Sequence, residues 1–476
     1  MTVRALVSLV AVTIFAASAC EKAPDQSQQV TAIRALVASP PKWVGQGPLA
    51  KRLWQAERTF YERRGFTPAW VDGDRTTPQW KDLIQQLKYS ERHGLDPASY
   101  HVTEFEQLRE QAQTKTSGTR FPADRVPEMD AKMTFAYLRY AADLLGWDRN
   151  PKAIYEDWIA SPRKEDLAAR LAAAVEKGVV RDSLEALAPT HQQYKGLQAA
   201  LAMEKEQPTG HAEQIRMNME RWRWAPHDLG ERYVLVNVPA YQMQVMEGDH
   251  PVLAMRVIVG KPDAPTPLFS DKMTYLVFSP YWNIPADILK TEALPHLMKD
   301  PEWLERNHME VVSTKGDVVD ASKMDWSDEK AVDAVRIRQA PGPENALGLV
   351  KFIFPNNFSV YLHDTPTDKL FFQKRRALSH GCVRVEDPVA LAQYVMRDRP
   401  EWTEERIATA MHANEEETVK LKTPIPVHIG YWTAWVGPDG KTVTYTDDPY
   451  GLDARQHQLV EEGRTTPLRA SKPAAP

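Results

Sequence analysis

The chain has 476 residues, 43% hydrophobic and 26% charged, with 59 Lys and Arg against 64 Asp and Glu and a formal net charge of −5. That length predicts about three structural units, and the charge balance offers no bulk attraction to nucleic acid, so no nucleic-acid partner is expected. Only two cysteines occur, Cys20 and Cys382, which excludes a disulfide scaffold and any zinc site of three or four thiolates.

The N-terminus reads as a secretory signal over 1–20: a basic start ending at Arg4, an apolar run from Ala5 to Ala17, then Ser18-Ala19-Cys20. The apolar run is too short for a membrane span, which needs about 20 residues. Ala17-Ser18-Ala19-Cys20 resembles a bacterial lipobox, in which Cys20 would be acylated and become the new N-terminus; ordinary cleavage is the alternative. The expected location is the bacterial envelope or periplasm, with membrane contact only through a lipid on Cys20. Gln, Ser and Pro then predict a flexible leader over 21–45.

From 46 to 225 the period is helical. Trp80, Leu83, Ile84 and Leu87 fall on one helix face, as do Tyr137, Tyr140, Ala141 and Leu144, and these aromatic stripes read as core before ligand platform. At Tyr233 the period changes to two. Strands are predicted over Tyr233–Val238, Tyr241–Met246, Val252–Val259, Thr274–Ser279, Lys351–Phe354 and Phe358–Leu362. Between 284 and 340 the pattern returns to helix and charged loop, a helical insertion read as a lid that closes over the substrate, with space-filling the alternative. Helices follow at Pro388–Arg397 and Thr403–Met411, then an extension over 411–454 with a hairpin around Gly437-Pro438-Asp439-Gly440, and a disordered tail over 455–476. The fold class is α+β: a helical domain over 46–225, then a mainly β domain over 232–410 that carries the insertion.

The chemistry concentrates near the second cysteine. If Cys20 is lipidated or removed, Cys382 has no partner thiol and is either buried and inert or present for its reactivity. A thiol needs a neighbouring imidazole to become nucleophilic, and His363 closes a strand 19 positions upstream. Gly381 precedes the thiol, and His380, two residues away, shares its face in an extended chain. A metal site of His363, Cys382 and His380 is possible by residue type, but it lacks a fourth ligand, so neither metal nor cofactor is expected. Lys374-Arg375-Arg376 reads as a solvated loop close enough to Cys382 to attract an anion.

Ser379-His380-Gly381-Cys382-Val383-Arg384, with His363 upstream, resembles the signature of the L,D-transpeptidases with a YkuD-type catalytic domain. Phe60 to Trp70 and Ile215 to Trp224 are similar to the helical scaffold of the large envelope members and its exit. Gly260-Lys261-Pro262, Pro280 to Pro285 and Pro341 to Gly348 also read as family blocks. The stretch Leu197–Gln214 leaves no room for the peptidoglycan-binding module that large members often carry, so glycan recognition falls to the scaffold or to an envelope partner protein.

The resemblance implies that Cys382 attacks a peptidoglycan tetrapeptide stem, releases D-Ala and holds the stem as a thioester. The diamino-acid amine of a second stem then takes the acyl group, which cross-links the cell wall. It implies His363 as base and then acid, the Asp364 carbonyl as its orienting partner, and backbone N–H groups of Gly381 and Cys382 for the oxyanion. Arg384, Tyr361 and Ser379 are candidates for the substrate side, with Arg384 pairing a carboxylate or bracing the loop and Tyr361 walling the donor site. Carbapenems are expected to acylate Cys382. The alternatives are an L,D-carboxypeptidase or a wall-protein attachment or release enzyme using the same thioester, and a non-catalytic wall-binding scaffold.

Overall fold

The structure, a computed structural model, describes residues 26–461 apart from 74, 116–120, 123, 161–162 and 301. The expected signal segment, Cys20 and residues 462–476 lie outside the described residues. Two compact units emerge: one of residues 26–88, 98–139 and 166–183, the other of 89–97, 140–165 and 184–461. The chain is thus helical at its N-terminal side and mainly β in its C-terminal half, as the change of period predicts.

Nine strands organise the second unit: β1 Arg232–Asn237, β2 Gln242–Glu247, β3 His250–Gly260, β4 Ser270–Phe278, β5 Val350–Ile353, β6 Leu362–His363, β7 Ala377–Ser379, β8 Val383–Val385 and β9 Glu417–Gly430. Their order is β7-β3-β8-β6-β5-β4-β9-β1-β2, and β2 also pairs with β3. Eight strands therefore close on themselves, with β7 added along β3, and closure leaves few unpaired edges. Alternate residues such as Val234, Val236, Met243, Val245, Val257, Val259, Phe352 and Leu362 fill the shared core.

Strand β9 corrects the expectation of a C-terminal extension over 411–454: it is part of the barrel wall, parallel to β1 and antiparallel to β4. Pro424 and Pro426 disguise it, because proline cannot donate to a ladder, and the register with β4 jumps between Lys420 and Ile425. The helices Gln192–Glu206 and Ala212–Trp224, expected in the helical domain, belong to this unit. Arg221 of the second is fully buried; it pairs with Asp453 at 2.6 Å and donates to Gln456 Oε1 at 2.9 Å. These partners lie on a helix over Leu452–Glu461, so the disorder expected from 455 does not apply to 455–461. The insertion is also less helical than expected. Trp282–Asn283, Val335–Gln339, Met309–Ser313 and Val318–Val319 make a four-stranded sheet, and Leu297, Val311, Trp326 and Ile337 give the insertion its own small core.

The first unit holds the helices Pro48–Arg63, Pro78–Lys88, Val102–Lys115 and Leu167–Lys177. Trp80, Leu83 and Leu87 are buried as the helical period predicts. Asp166 caps the last helix by accepting from Ala169 N–H, and Gly178 ends it in the left-handed region. A hairpin of Val71–Asp72 with Arg75–Thr76 interrupts the helical pattern. The leader expected over 21–45 contains a helix, Gln26–Leu36, whose Gln29, Ile33 and following Val37 are buried at four-residue spacing; polar composition hid that stripe.

Glu57 and Asp130 lie fully buried in this unit. Asp130 accepts from Ala69 N–H, Trp70 N–H and the Tyr61 hydroxyl, and burial pushes its carboxyl up to about 6. Both Glu57 oxygens lack a partner, and burial, with the charge of Asp130 beside it, raises Glu57 well above the usual carboxylate range. A raised acid pKa penalises the folded state as pH climbs above the unfolded value. Glu57→Gln should therefore raise the melting temperature more at pH 7.5 than at pH 4.5; an equal gain at both pH values would contradict a protonated Glu57.

Candidate active site

Strands β6 and β8 run parallel and neighbouring, with Leu362 opposite Val383 and His363 opposite Arg384. Val383 N–H donates to the Tyr361 carbonyl at 3.1 Å, which brings Cys382, at the head of β8, beside Tyr361 and the end of β6. The fold thus brings residues 19 positions apart to the same end of two paired strands, with Cys382 beside Tyr361 and His363 opposite Arg384.

His363 is buried, and its Nδ1 lies 2.6 Å from the Asp364 carbonyl oxygen. A carbonyl only accepts, so Nδ1 carries the hydrogen and Nε2 keeps its lone pair. Burial, with Arg384 and Lys351 adding repulsion, pushes the imidazole down to about 3. The ring is a neutral base at neutral pH. The Asp364 carbonyl stands where the resemblance puts it, and the Asp364 carboxylate acts on the backbone, accepting from Leu349 N–H at 2.8 Å and Thr365 N–H at 2.7 Å. Gly348 sits against that carboxylate at φ 62, and a Cβ there would lie 2.4 Å from Asp364 Cγ.

The Cys382 thiol donates to the Ser359 carbonyl at 3.8 Å and receives the Tyr361 hydroxyl. Ser359 is a non-glycine residue held at φ 56, within a turn that Asn356 pins by donating to the Phe354 and Val360 carbonyls, both at 2.7 Å. Burial pushes the thiol up to about 11. The resting pair is therefore thiol and neutral imidazole. Tyr361 stands edge-on to His363, ring centroids 5.7 Å apart, and burial raises its hydroxyl as well.

Three expected roles change. Gly381 adopts φ 115, which breaks the extended alternation that would have put His380 on the face of Cys382. His380 Nε2 instead meets Glu292 Oε1 of the insertion at 2.7 Å. Ser379 is buried, and its hydroxyl donates to the Cys382 carbonyl at 2.5 Å while accepting from Gly381 N–H at 3.2 Å, so its polar group is spent bracing the loop that carries Cys382. The same bond engages the Gly381 N–H expected for the oxyanion. Gly381 serves the loop through its conformation and its carbonyl, which accepts from Thr266 Oγ1 at 2.8 Å.

Arg384 reaches Thr367 Oγ1 with Nη1 at 3.4 Å, while its Nε is buried without a partner. Lys351 on β5, opposite His363, completes a row Lys351, His363, Arg384 across three strands, with its ammonium 3.8 Å from Glu416. Burial lowers the Lys351 pKa. The sequence singles out Lys351 only as the first residue of the strand Lys351–Phe354; its place beside His363 follows from strand pairing alone. Thr266 carries no signal in the sequence. No cluster of three His, Cys, Asp or Glu suited to a metal occurs among the described residues.

Residues 55–201 match the Scaffold domain family and residues 231–429 the YkuD L,D-transpeptidase catalytic domain. A putative L,D-transpeptidase of Haemophilus influenzae is 31% identical over 399 residues, 80% of either chain. The chain belongs to the L,D-transpeptidase family. Among solved structures, an L,D-transpeptidase from Mycobacterium smegmatis shows 13% identity over 42% of this chain and 58% of that one, with a TM-score of 0.19. An L,D-transpeptidase in complex with imipenem shows 12% identity over 42% of this chain and 58% of its own, with a TM-score of 0.18. This chain spans less than two thirds of either solved structure's length.

Gly348→Ala should displace Asp364 and with it the carbonyl that orients His363. A small misplacement of a base costs about a hundredfold in rate, so the rate of covalent labelling of Cys382 by a carbapenem, followed by intact-protein mass, should fall by about that factor. Labelling at the wild-type rate would show that Gly348 has no part in orienting His363.

Proposed function

We propose that this protein cross-links peptidoglycan as an L,D-transpeptidase with Cys382 as nucleophile. The observation that carries the reading is the His363 tautomer: Nδ1–H held by the Asp364 carbonyl at 2.6 Å leaves Nε2 as a base on the strand beside Cys382. In the first half-reaction the Cys382 proton passes to His363 Nε2 as sulfur bonds to the stem carbonyl. The C–N bond to D-Ala then breaks, and the imidazolium protonates the departing amine. In the second, the diamino-acid amine of another stem attacks the thioester and its proton returns through Nε2 to the sulfur. The Cys382 N–H is the donor left for the oxyanion, since Gly381 N–H is engaged by Ser379.

Arg384, with a buried and unpartnered Nε, receives a donor-stem carboxylate, and the charge row with Lys351 favours an anionic stem. The protein works in the bacterial envelope, tethered through a lipid on Cys20; a mature chain without that lipid mass would refute the tether. Incubation with tetrapeptide muropeptides should yield D-Ala and cross-linked dimers by mass spectrometry, and tripeptide without dimer would overturn the cross-linking reading. Cys382→Ala should lower D-Ala release by about a thousandfold or more and abolish carbapenem adducts.

The proton inventory gives a pH test. His363 near 3 is unprotonated, and Cys382 near 11 protonated, throughout the neutral range. Carbapenem acylation should therefore run flat between about pH 5 and 8. An inflection near 6.5, the ordinary imidazole value, would contradict the buried neutral base.

A further inference from the structure

The insertion is joined to the catalytic residues at two points that the proposed reaction does not use. At its base, buried Asn345 donates through Nδ2 to the Pro280 carbonyl at 3.0 Å, where the chain leaves the barrel, and to the Ala340 carbonyl at 2.9 Å, where it returns. The same residue takes Leu347 N–H on Oδ1 and Gly348 N–H on its backbone carbonyl, both at 2.8 Å. Gly348 packs on the Asp364 carboxylate, so the neck of the insertion and the orienting partner of His363 share one hydrogen-bonded turn.

The second point lies at Glu292. The segment Leu289–Ala293 forms a π-turn, a rare local conformation that tends to occur at functional sites. It presents Glu292 to His380, two residues before the nucleophile, at 2.7 Å. The two side chains are 51% and 33% exposed. A pair so exposed contributes little to folding, yet it is a direct side-chain contact between the insertion and the loop that carries Cys382.

We propose that Glu292 and His380 form a clasp that holds the insertion on the nucleophile loop while the thioester exists, and so decides whether an amine or water resolves it. This rests on the thioester chemistry proposed above. Both outcomes break the same C–S bond. Transfer forms a C–N bond to the acceptor amine and hydrolysis a C–O bond to water, and in each the displaced proton travels through His363 Nε2 to the sulfur. A closed clasp excludes bulk water, which favours transfer. Glu292 is a positioning residue, since it touches neither substrate nor the reacting atoms.

The test uses the full chain with Glu292→Ala and Glu292→Gln. With tetrapeptide muropeptides, the ratio of dimer to tripeptide should fall about threefold in Glu292→Ala, the scale of a half-exposed pair, while total D-Ala release changes less than the ratio. Glu292→Gln, which keeps an acceptor for His380, should fall between. In parallel, alkylation of Cys382 by a polyethylene-glycol maleimide relative to iodoacetamide, localised by peptide mass, should rise about threefold in Glu292→Ala as the insertion loosens. Unchanged ratios in both assays would overturn the clasp. A wild-type protein that releases no D-Ala would refute the transpeptidase reading alone, and the alkylation ratio would still decide the clasp.

Discussion

The site depends on one hydrogen bond, from His363 Nδ1–H to the Asp364 carbonyl. It selects the tautomer that leaves Nε2 basic, and burial beside two cations keeps that tautomer neutral. A carbonyl serves where a carboxylate orients many catalytic histidines, and the electrostatic consequence differs. A carboxylate would stabilise an imidazolium at rest; a carbonyl beside Arg384 and Lys351 does not. The Asp364 carboxylate is spent on Leu349 and Thr365 N–H groups, which fixes the carbonyl in turn.

Barrel closure makes this arrangement rigid. The parallel pairing of the short strands β6 and β8 sets Arg384 beside His363, with Lys351 of β5 on the other side. Short strands hold register poorly alone. Here Ser359, Thr266 and Ser379 fasten the turns on either side, each through a bond to Cys382 or to the glycine before it. The left-handed Gly381 lets the chain turn so that Cys382 faces Tyr361 while His380 faces the insertion.

Much of this was legible in the sequence. The change of period at Tyr233 marks the start of the barrel, and residues 19 positions apart, His363 and Cys382, come to the same end of the neighbouring strands β6 and β8. The rest depended on contacts that no local pattern encodes. Strand β9 carries two prolines and reads as loop; the helix Gln26–Leu36 is polar in composition and buries only one residue per turn. Strand alternation puts His380 on the face of Cys382 only if the chain stays extended, and Gly381 breaks it; the burial of Ser379 leaves no mark in one dimension. Lys351, Gly348 and Glu292 act through partners 12 to 88 positions away, so only the folded chain brings them to the site.

In the reaction proposed for this chain, Cys382 holds the donor stem as a thioester formed through a neutral His363. Rapid acid quench of the enzyme with a tetrapeptide muropeptide and no acceptor, followed by digestion and mass spectrometry, tests it most directly. The account predicts the stem, less its terminal D-Ala, on the peptide containing Cys382. Steady release of D-Ala with no such adduct at any quench time, or an adduct on another residue, would contradict it.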